Sequence, residues 1–130
     1  MTHIINSLDE ISHHYDALFV DLWGCVHNGI VAYTAAVEAL IEYRKNGGKV
    51  VLVTNSPKPR IGVEKQLLHF NVPKICYDTV ATSGDSARVA MFSAVVGKKI
   101  FFIGQPRDHL FFEPISIIKS PIKIEQVSIH

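Results

Sequence analysis

The sequence predicts an α/β fold built on a parallel sheet with helices on its faces. Three observations predict it. Apolar runs of strand length alternate with stretches whose apolar residues recur at helical spacing. Residues 17–20 and 49–53 are nearly continuous apolar runs, the pattern of strands covered on both faces. The first run ends in Asp21 and the second in Thr54-Asn55-Ser56, so two strands deliver polar groups to the edge where such sheets bind ligands.

The elements follow in order. Ser7-Leu8-Asp9-Glu10 reads as a capping box opening a short helix to about His14. The first strand then runs into Asp21. Asn28-Gly29, between apolar residues, predicts a tight hairpin with positive φ at both turn positions. Thr34 is placed to cap a helix whose apolar side is Ala36, Val37, Leu40 and Ile41, with Tyr43 nearby. Glu38, Glu42, Arg44 and Lys45 take its wet side, and Asn46-Gly47-Gly48 ends it. After the second strand, Pro57 and Pro59 delay the next helix to about Arg60. Val63, Leu67 and Phe70 carry that helix, and Asn71-Val72-Pro73 stops it. Residues 79–82 predict a short strand, and Ser83 a cap for a helix to about Val96, closed by Gly97. Residues 99–103 form another strand pattern, followed by a loop. From Phe111 the apolar residues are mostly β-branched (Ile115, Ile117, Ile118, Ile122, Ile124, Val127, Ile129), which predicts strand and turn.

Bulk properties narrow the function classes. The chain has 130 residues, enough for a modest domain, with 48% hydrophobic and 19% charged residues, a globular composition. A net charge of +1 and the absence of a basic run give no ground for nucleic acid or a membrane surface as partner. No apolar stretch is of membrane-spanning or signal-peptide length, so the expected compartment is cytoplasmic. Cys25 and Cys76 share no metal-ligand spacing and read as reduced thiols.

Asp21 at a strand end suits a nucleophile, a metal ligand or a helix cap. Thr54-Asn55-Ser56 offers hydroxyls, an amide and backbone N–H groups, which suit phosphate oxygens or a helix-capping loop. Their pairing at successive strand ends favours a shared anionic ligand.

The order of these segments resembles a known family. Phe19-Val20-Asp21-Leu22-Trp23-Gly24-Cys25-Val26 is similar to the first motif of the haloacid dehalogenase superfamily, apolar-Asp-x-Asp-Gly-x-apolar. Val51-Leu52-Val53-Thr54-Asn55-Ser56 resembles its second motif. The Asn28-Gly29 turn falls where that family has its flap. Thr82-Ser83-Gly84-Asp85-Ser86-Ala87 resembles a segment of the subgroup with a large cap inserted after the second motif, the class IIA members such as the pyridoxal phosphatases. The resemblance covers residues 17–103. It implies a Rossmann-like core over residues 1–97, with helices on both faces of the sheet, and a truncated cap starting at residue 98. It further implies a phosphatase acting on a small phosphorylated metabolite, a phosphomonoester or acyl phosphate. Asp21 would form an aspartyl-phosphate. The backbone at Leu22 and Trp23, with Thr54 and Asn55, would hold the phosphoryl oxygens. Mg2+ would bind Asp21 and the Trp23 carbonyl.

Two departures from that pattern bear on activity. Trp23 stands where the family has a second Asp, the acid and base, and an indole does neither job. General acid–base catalysis is worth roughly a hundred- to ten-thousand-fold in rate, so good leaving groups should suffer least. The family's later Lys and acidic metal-binding pair also have no counterpart, since Lys98 and Lys99 come too early. The sequence thus carries two alternatives, a non-catalytic phosphate-binding module and an inactive fragment, and unpaired strand edges leave room for a homo-oligomer. Elsewhere, Cys25, His27, His13 and His14 form at most a weak zinc set, with a solvated His and a buried Cys expected instead. Asp85 suits a helix dipole, Arg88 follows it, and Arg107-Asp108 suits a solvated loop. Trp23 is expected to pack or to offer a stacking surface.

Overall fold

Apolar runs do become strands, and helical spacing does become helices. The structure, a computed structural model, describes residues 3–93, 95–97, 99–112 and 123–128. Its elements are α1 (Asp9–Ser12), β1 (Ala17–Asp21), α2 (Thr34–Lys45), β2 (Lys49–Thr54), α3 (Arg60–His69), β3 (Thr79–Thr82), α4 (Ser83–Phe92), β4 (Lys99–Gly104) and β5 (Lys123–Ser128). A 3-10 turn, Lys74–Cys76, precedes β3, and a longer 3-10 stretch, Pro106–Phe112, replaces the expected loop after β4. Ile124 and Val127 lie in β5, whereas Lys98, Ile115, Ile117, Ile118, Ile122 and Ile129 are outside the described residues.

The chain divides into two compact units, Met1–Thr54 with Gly62–Ala81, and Asn55–Ile61 with Thr82–His130. Strands β1, β2 and β3 form a Rossmann-like parallel sheet with β2 in the middle. Strands β4 and β5 pair in parallel as a separate two-stranded sheet, from Lys99 opposite Lys123 to Gly104 opposite Ser128.

The expectation of strands covered on both faces needs correction. Along β1, exposed Ala17, Phe19 and Asp21 alternate with partly buried Leu18 and Val20. Along β2, Val50 and Leu52 are fully buried while Val53 is exposed. A strand's period of two sends alternate residues to one face, and among the described residues the face that carries Phe19, Asp21 and Val53 is left exposed. Phe19 is 78% exposed and so forgoes most of the roughly 1.5–3 kcal/mol that full burial would supply. The other face packs on the core, where Val50, Leu52, Leu67, Val72 and Cys76 are fully buried.

Polar clips hold the first unit around that core. The Asp78 carboxylate accepts from Arg44 Nη2 at 2.9 Å and Nε at 3.2 Å, and from the Val50 N–H at 2.8 Å. Arg44 also donates to the Ile75 carbonyl. Arg44 is therefore not on a solvated face: it ties the end of α2 to the approach to β3. The Tyr43 hydroxyl donates to the Tyr15 carbonyl at 2.6 Å. A Cβ on Gly48 would come within 2.2 Å of the Tyr43 ring, so the close approach requires glycine.

Three helix ends differ from expectation. The capping box forms only in part: Glu10 accepts from the Ser7 and Asn6 N–H groups, but no side chain caps α1, which stops at Ser12. Thr34 is the first residue of α2 rather than its cap, because Tyr33 takes the extended cap position. Thr82, not Ser83, caps α4, its Oγ1 accepting from the Asp85 N–H at 2.9 Å. That helix ends at Phe92 instead of near Val96, since the Val95 N–H turns to the Ala90 carbonyl and breaks the i to i−4 ladder.

The second unit explains the Thr82-Ser83-Gly84-Asp85 segment. The Gly84 N–H donates to the Ser56 carbonyl at 3.1 Å. A Cβ there would lie 2.2 Å from the Pro57 carbonyl oxygen, so only glycine lets residues 56–58 pass. Asp85 then accepts from the Arg60 N–H at 3.0 Å, satisfying a donor at the start of α3, and pairs with Arg88 at 3.2 Å.

Candidate active site at the carboxyl rim of the sheet

The parallel register pairs Asp21 with Val53, so β2 runs one residue further and ends at Thr54. With neighbouring strands ~4.8 Å apart and a rise of ~3.3 Å per residue, the two Cα atoms lie about 6 Å apart. Alternation puts Asp21 on the exposed side with Phe19 and Val53, and half-buried Thr54 on the side of Val50 and Leu52. The two residues therefore share a rim and not a face. A group touched by both must sit past the strand ends. Asn55 is exposed and opens the second unit.

Beyond Asp21 the chain makes a tight loop. Leu22 is buried and plugs the loop into the core. Its N–H donates to Asp21 Oδ1 at 2.8 Å, so here that N–H holds the carboxylate rather than standing open to a ligand. Its carbonyl accepts from the Val26 N–H at 2.8 Å and the His27 N–H at 3.2 Å. Gly24, at φ +79°, donates to the His27 carbonyl at 2.8 Å. None of these bonds uses the N–H or C=O of Trp23. The loop thus leaves Trp23's peptide groups, two residues past the carboxylate, out of its own ladder.

The flap is a hairpin, though not the tight turn expected. His27 pairs antiparallel with Ala32 across a four-residue loop. Gly29 has φ +88°, but Asn28 does not have positive φ. Instead the Asn28 Oδ1 accepts from the Ile30 and Val31 N–H groups, both at 2.9 Å. The side chain makes the reversal that the backbone was expected to make.

His27 and Cys25 reverse their expected settings: the imidazole is buried and the thiol exposed, while Cys76 is the buried cysteine. His27 Nδ1 accepts from the Gly29 N–H at 3.0 Å, which fixes a neutral ring protonated on Nε2, and the ring packs 4.8 Å from Phe70. Burial pushes the His27 pKa below its ordinary value, and the negative charge of Asp21 opposes that shift. Trp23 does not pack into the core. It is 71% exposed, and its Nε1 lies 3.1 Å from where a Cβ on Gly29 would be.

For a metal, the loop offers the exposed Asp21 carboxylate and the Trp23 carbonyl. Mg2+ at a phosphate site uses one or two carboxylates with substrate oxygens and water, so this pair fits part of such a shell. Among the described residues no group of three His, Cys, Asp or Glu side chains could complete a protein cage for Mg2+ or zinc. Asp85 is committed to α3 and Arg88, and Asp108 to the Gln105 N–H at 3.0 Å. Among the described residues no helix is long and apolar enough to cross a membrane.

The bonds least visible in the sequence are the Arg44–Asp78 clip and the seating of Trp23 on Gly29. Asn28-Gly29 was the available signal for the second, since a glycine beside a reversal marks a close approach.

Comparison with known proteins identifies the family and the fold. The family model described as haloacid dehalogenase-like hydrolase matches residues 18–115. A crystal structure of a hydrolase of the haloacid dehalogenase-like family from Brucella suis 1330 is similar at 36% identity and a TM-score of 0.80, over 95% of this chain. The match spans 42% of that longer chain. No curated protein matches. The chain belongs to the haloacid dehalogenase-like hydrolases.

Proposed function

We propose that the carboxyl rim of the sheet is the phosphoryl-binding site of a phosphohydrolase, with Asp21 as nucleophile. The observation that carries this reading is the placement of an exposed carboxylate one residue in register from Thr54, at the adjacent ends of two parallel strands. A carboxylate oxygen of Asp21 attacks phosphorus, the bond to the leaving group breaks, and water later cleaves the acyl phosphate. The Trp23 N–H, Thr54 and Asn55 would hold the phosphoryl oxygens, and Leu22 joins them when its N–H leaves Asp21. Asp21 and the Trp23 carbonyl would hold Mg2+, which supplies charge neutralisation when bound. The substrate is a small phosphorylated metabolite with a good leaving group, such as an acyl phosphate, because Trp23 offers no proton. The same reading assigns residues 1–97 to the core and 98–130 to the start of a cap, and it places the protein in the cytoplasm.

A second reading, a phosphate-binding module without turnover, is favoured by one observation. Among the described residues no group of three or more His, Cys, Asp or Glu side chains could hold a metal ion. One experiment separates the two: incubation with acetyl phosphate and Mg2+, an acid quench, and mass mapping. Phosphate carried on Asp21, and lost in Asp21→Asn, supports the hydrolase. Phosphate binding without a covalent adduct supports the binding module, and neither result removes both.

A further inference from the structure

We infer that Trp23 is a stacking platform that selects phosphate compounds bearing a planar aromatic group, aryl phosphates above all. The inference rests on the phosphoryl-site reading above and names its substrate class. Three observations carry it.

The first is position. Trp23 follows Asp21 by two residues, in the loop that leaves the carboxyl end of β1. The second is exposure. Trp23 is the only tryptophan of the chain, and it stays 71% exposed although the core lies one residue away, where Leu22 is buried. The third is how the indole is held. The Trp23–His27 bridge fixes its backbone, and Gly29, having no side chain, lets the flap come up to the Nε1 edge. His27 is itself locked by the Gly29 N–H on Nδ1 and by Phe70. A large aromatic ring on a braced loop is pre-organised for stacking and loses little freedom when a second ring settles on it.

The chemistry agrees with the placement. No titratable side chain occupies position 23, and the nearby His27 is buried with Nδ1 already accepting a hydrogen bond. An aryl group needs no proton to leave. Asp21 Oδ forms a bond to phosphorus, the P–O(aryl) bond breaks, and the aryloxide departs with the electron pair. Water then splits the acyl phosphate to regenerate the carboxylate and release inorganic phosphate.

The test uses the intact chain with Mg2+ and three probes: inorganic phosphate, glycerol 3-phosphate and phenyl phosphate. Amide chemical shifts of residues 21–24 and 54 report the phosphoryl site. Saturation transfer between the phenyl protons and the indole reports stacking. The expected result is that all three probes shift those amides, that phenyl phosphate binds about fivefold to tenfold tighter than glycerol 3-phosphate, and that only phenyl phosphate shows transfer to Trp23. Trp23→Ala should reduce that preference to near unity, and Trp23→Phe should retain part of it. If the probes shift the amides without an aromatic preference, the stacking inference fails while the phosphoryl site stands. If inorganic phosphate shifts none of them, the phosphoryl site fails and takes the inference with it. Equal binding of phenol and phenyl phosphate would also overturn it.

Discussion

Replacing Asp78 with alanine should unfold the first unit far more readily than any comparable surface change. Its carboxylate takes two bonds from the Arg44 guanidinium and one from the Val50 N–H. The side chains of Arg44 and Asp78 are only 25% and 28% exposed. Truncation leaves an N–H at the start of the central strand and a half-buried guanidinium without this partner. A lost charge-assisted bond of this kind costs about 1.5–3 kcal/mol; solvent reaching the pair keeps the total near the middle of that range, about 2 kcal/mol. For a domain of this size that is a fall in Tm of roughly 6–12 °C. The bonds to Val50 and Arg44 also hold the Asp78 pKa below its ordinary value. A carboxylate whose folded pKa is depressed stabilises the fold above its unfolded pKa and loses that contribution as pH falls through the folded one. The difference between wild type and Asp78→Ala should thus be complete at neutral pH and shrink below about pH 4. Calorimetry from pH 7 to pH 3 measures it. A loss under about 0.5 kcal/mol at pH 7, or a difference independent of pH, would refute the reasoning.

Further outcomes follow from the same packing. Gly84→Ala should destabilise the second unit by about 1–3 kcal/mol, since its Cβ meets a backbone carbonyl at 2.2 Å; urea unfolding with a probe in that unit would show it. Phe19→Ser should change stability by no more than about 0.5 kcal/mol, despite its size, because that face is exposed, whereas Leu52→Ala should cost about 2–5 kcal/mol. His27, favoured neutral by burial, should titrate below its ordinary value by NMR. Its contribution holds above about pH 6.5 and is lost as pH falls towards the folded pKa. Gly29→Ala, strained at φ +88° and crowded by Trp23 Nε1 at 3.1 Å, should move the indole and shift the chain's single tryptophan emission.

The strands and helices were legible because their signals are local. Residues 17–20 and 49–53 are strand-sized apolar runs, and Val63, Leu67 and Phe70 keep helical spacing, so each element forms where expected. The coverage of the sheet was not legible. Phe19 has the same composition signal whether or not anything packs on it, and burial depends on what lies across the face. Cap identity failed by one residue at Thr34 and Ser83, where two adjacent residues compete for one geometry. Asp21 and Thr54 stood out as polar residues ending apolar runs, but whether they share a face depends on register, which no single strand encodes. His27 and Cys25 exchanged places for the same reason. The Ala32 bridge turns the imidazole inward, and only the fold of the flap decides that. Asp78 and Arg44, 34 residues apart, gave no sequence signal at all.

The proposed phosphoryl site lies at the one rim formed by the ends of β1 and β2, and the chain's own amides test it most directly. Titrating inorganic phosphate with Mg2+ into isotope-labelled protein should move the resonances of Leu22, Trp23 and Thr54 together, along one saturation curve, with Phe19 and Leu52 still. Movement confined to one strand end, or two curves with different midpoints, would mean that position 21 and position 54 answer to different ligands and that no common site exists.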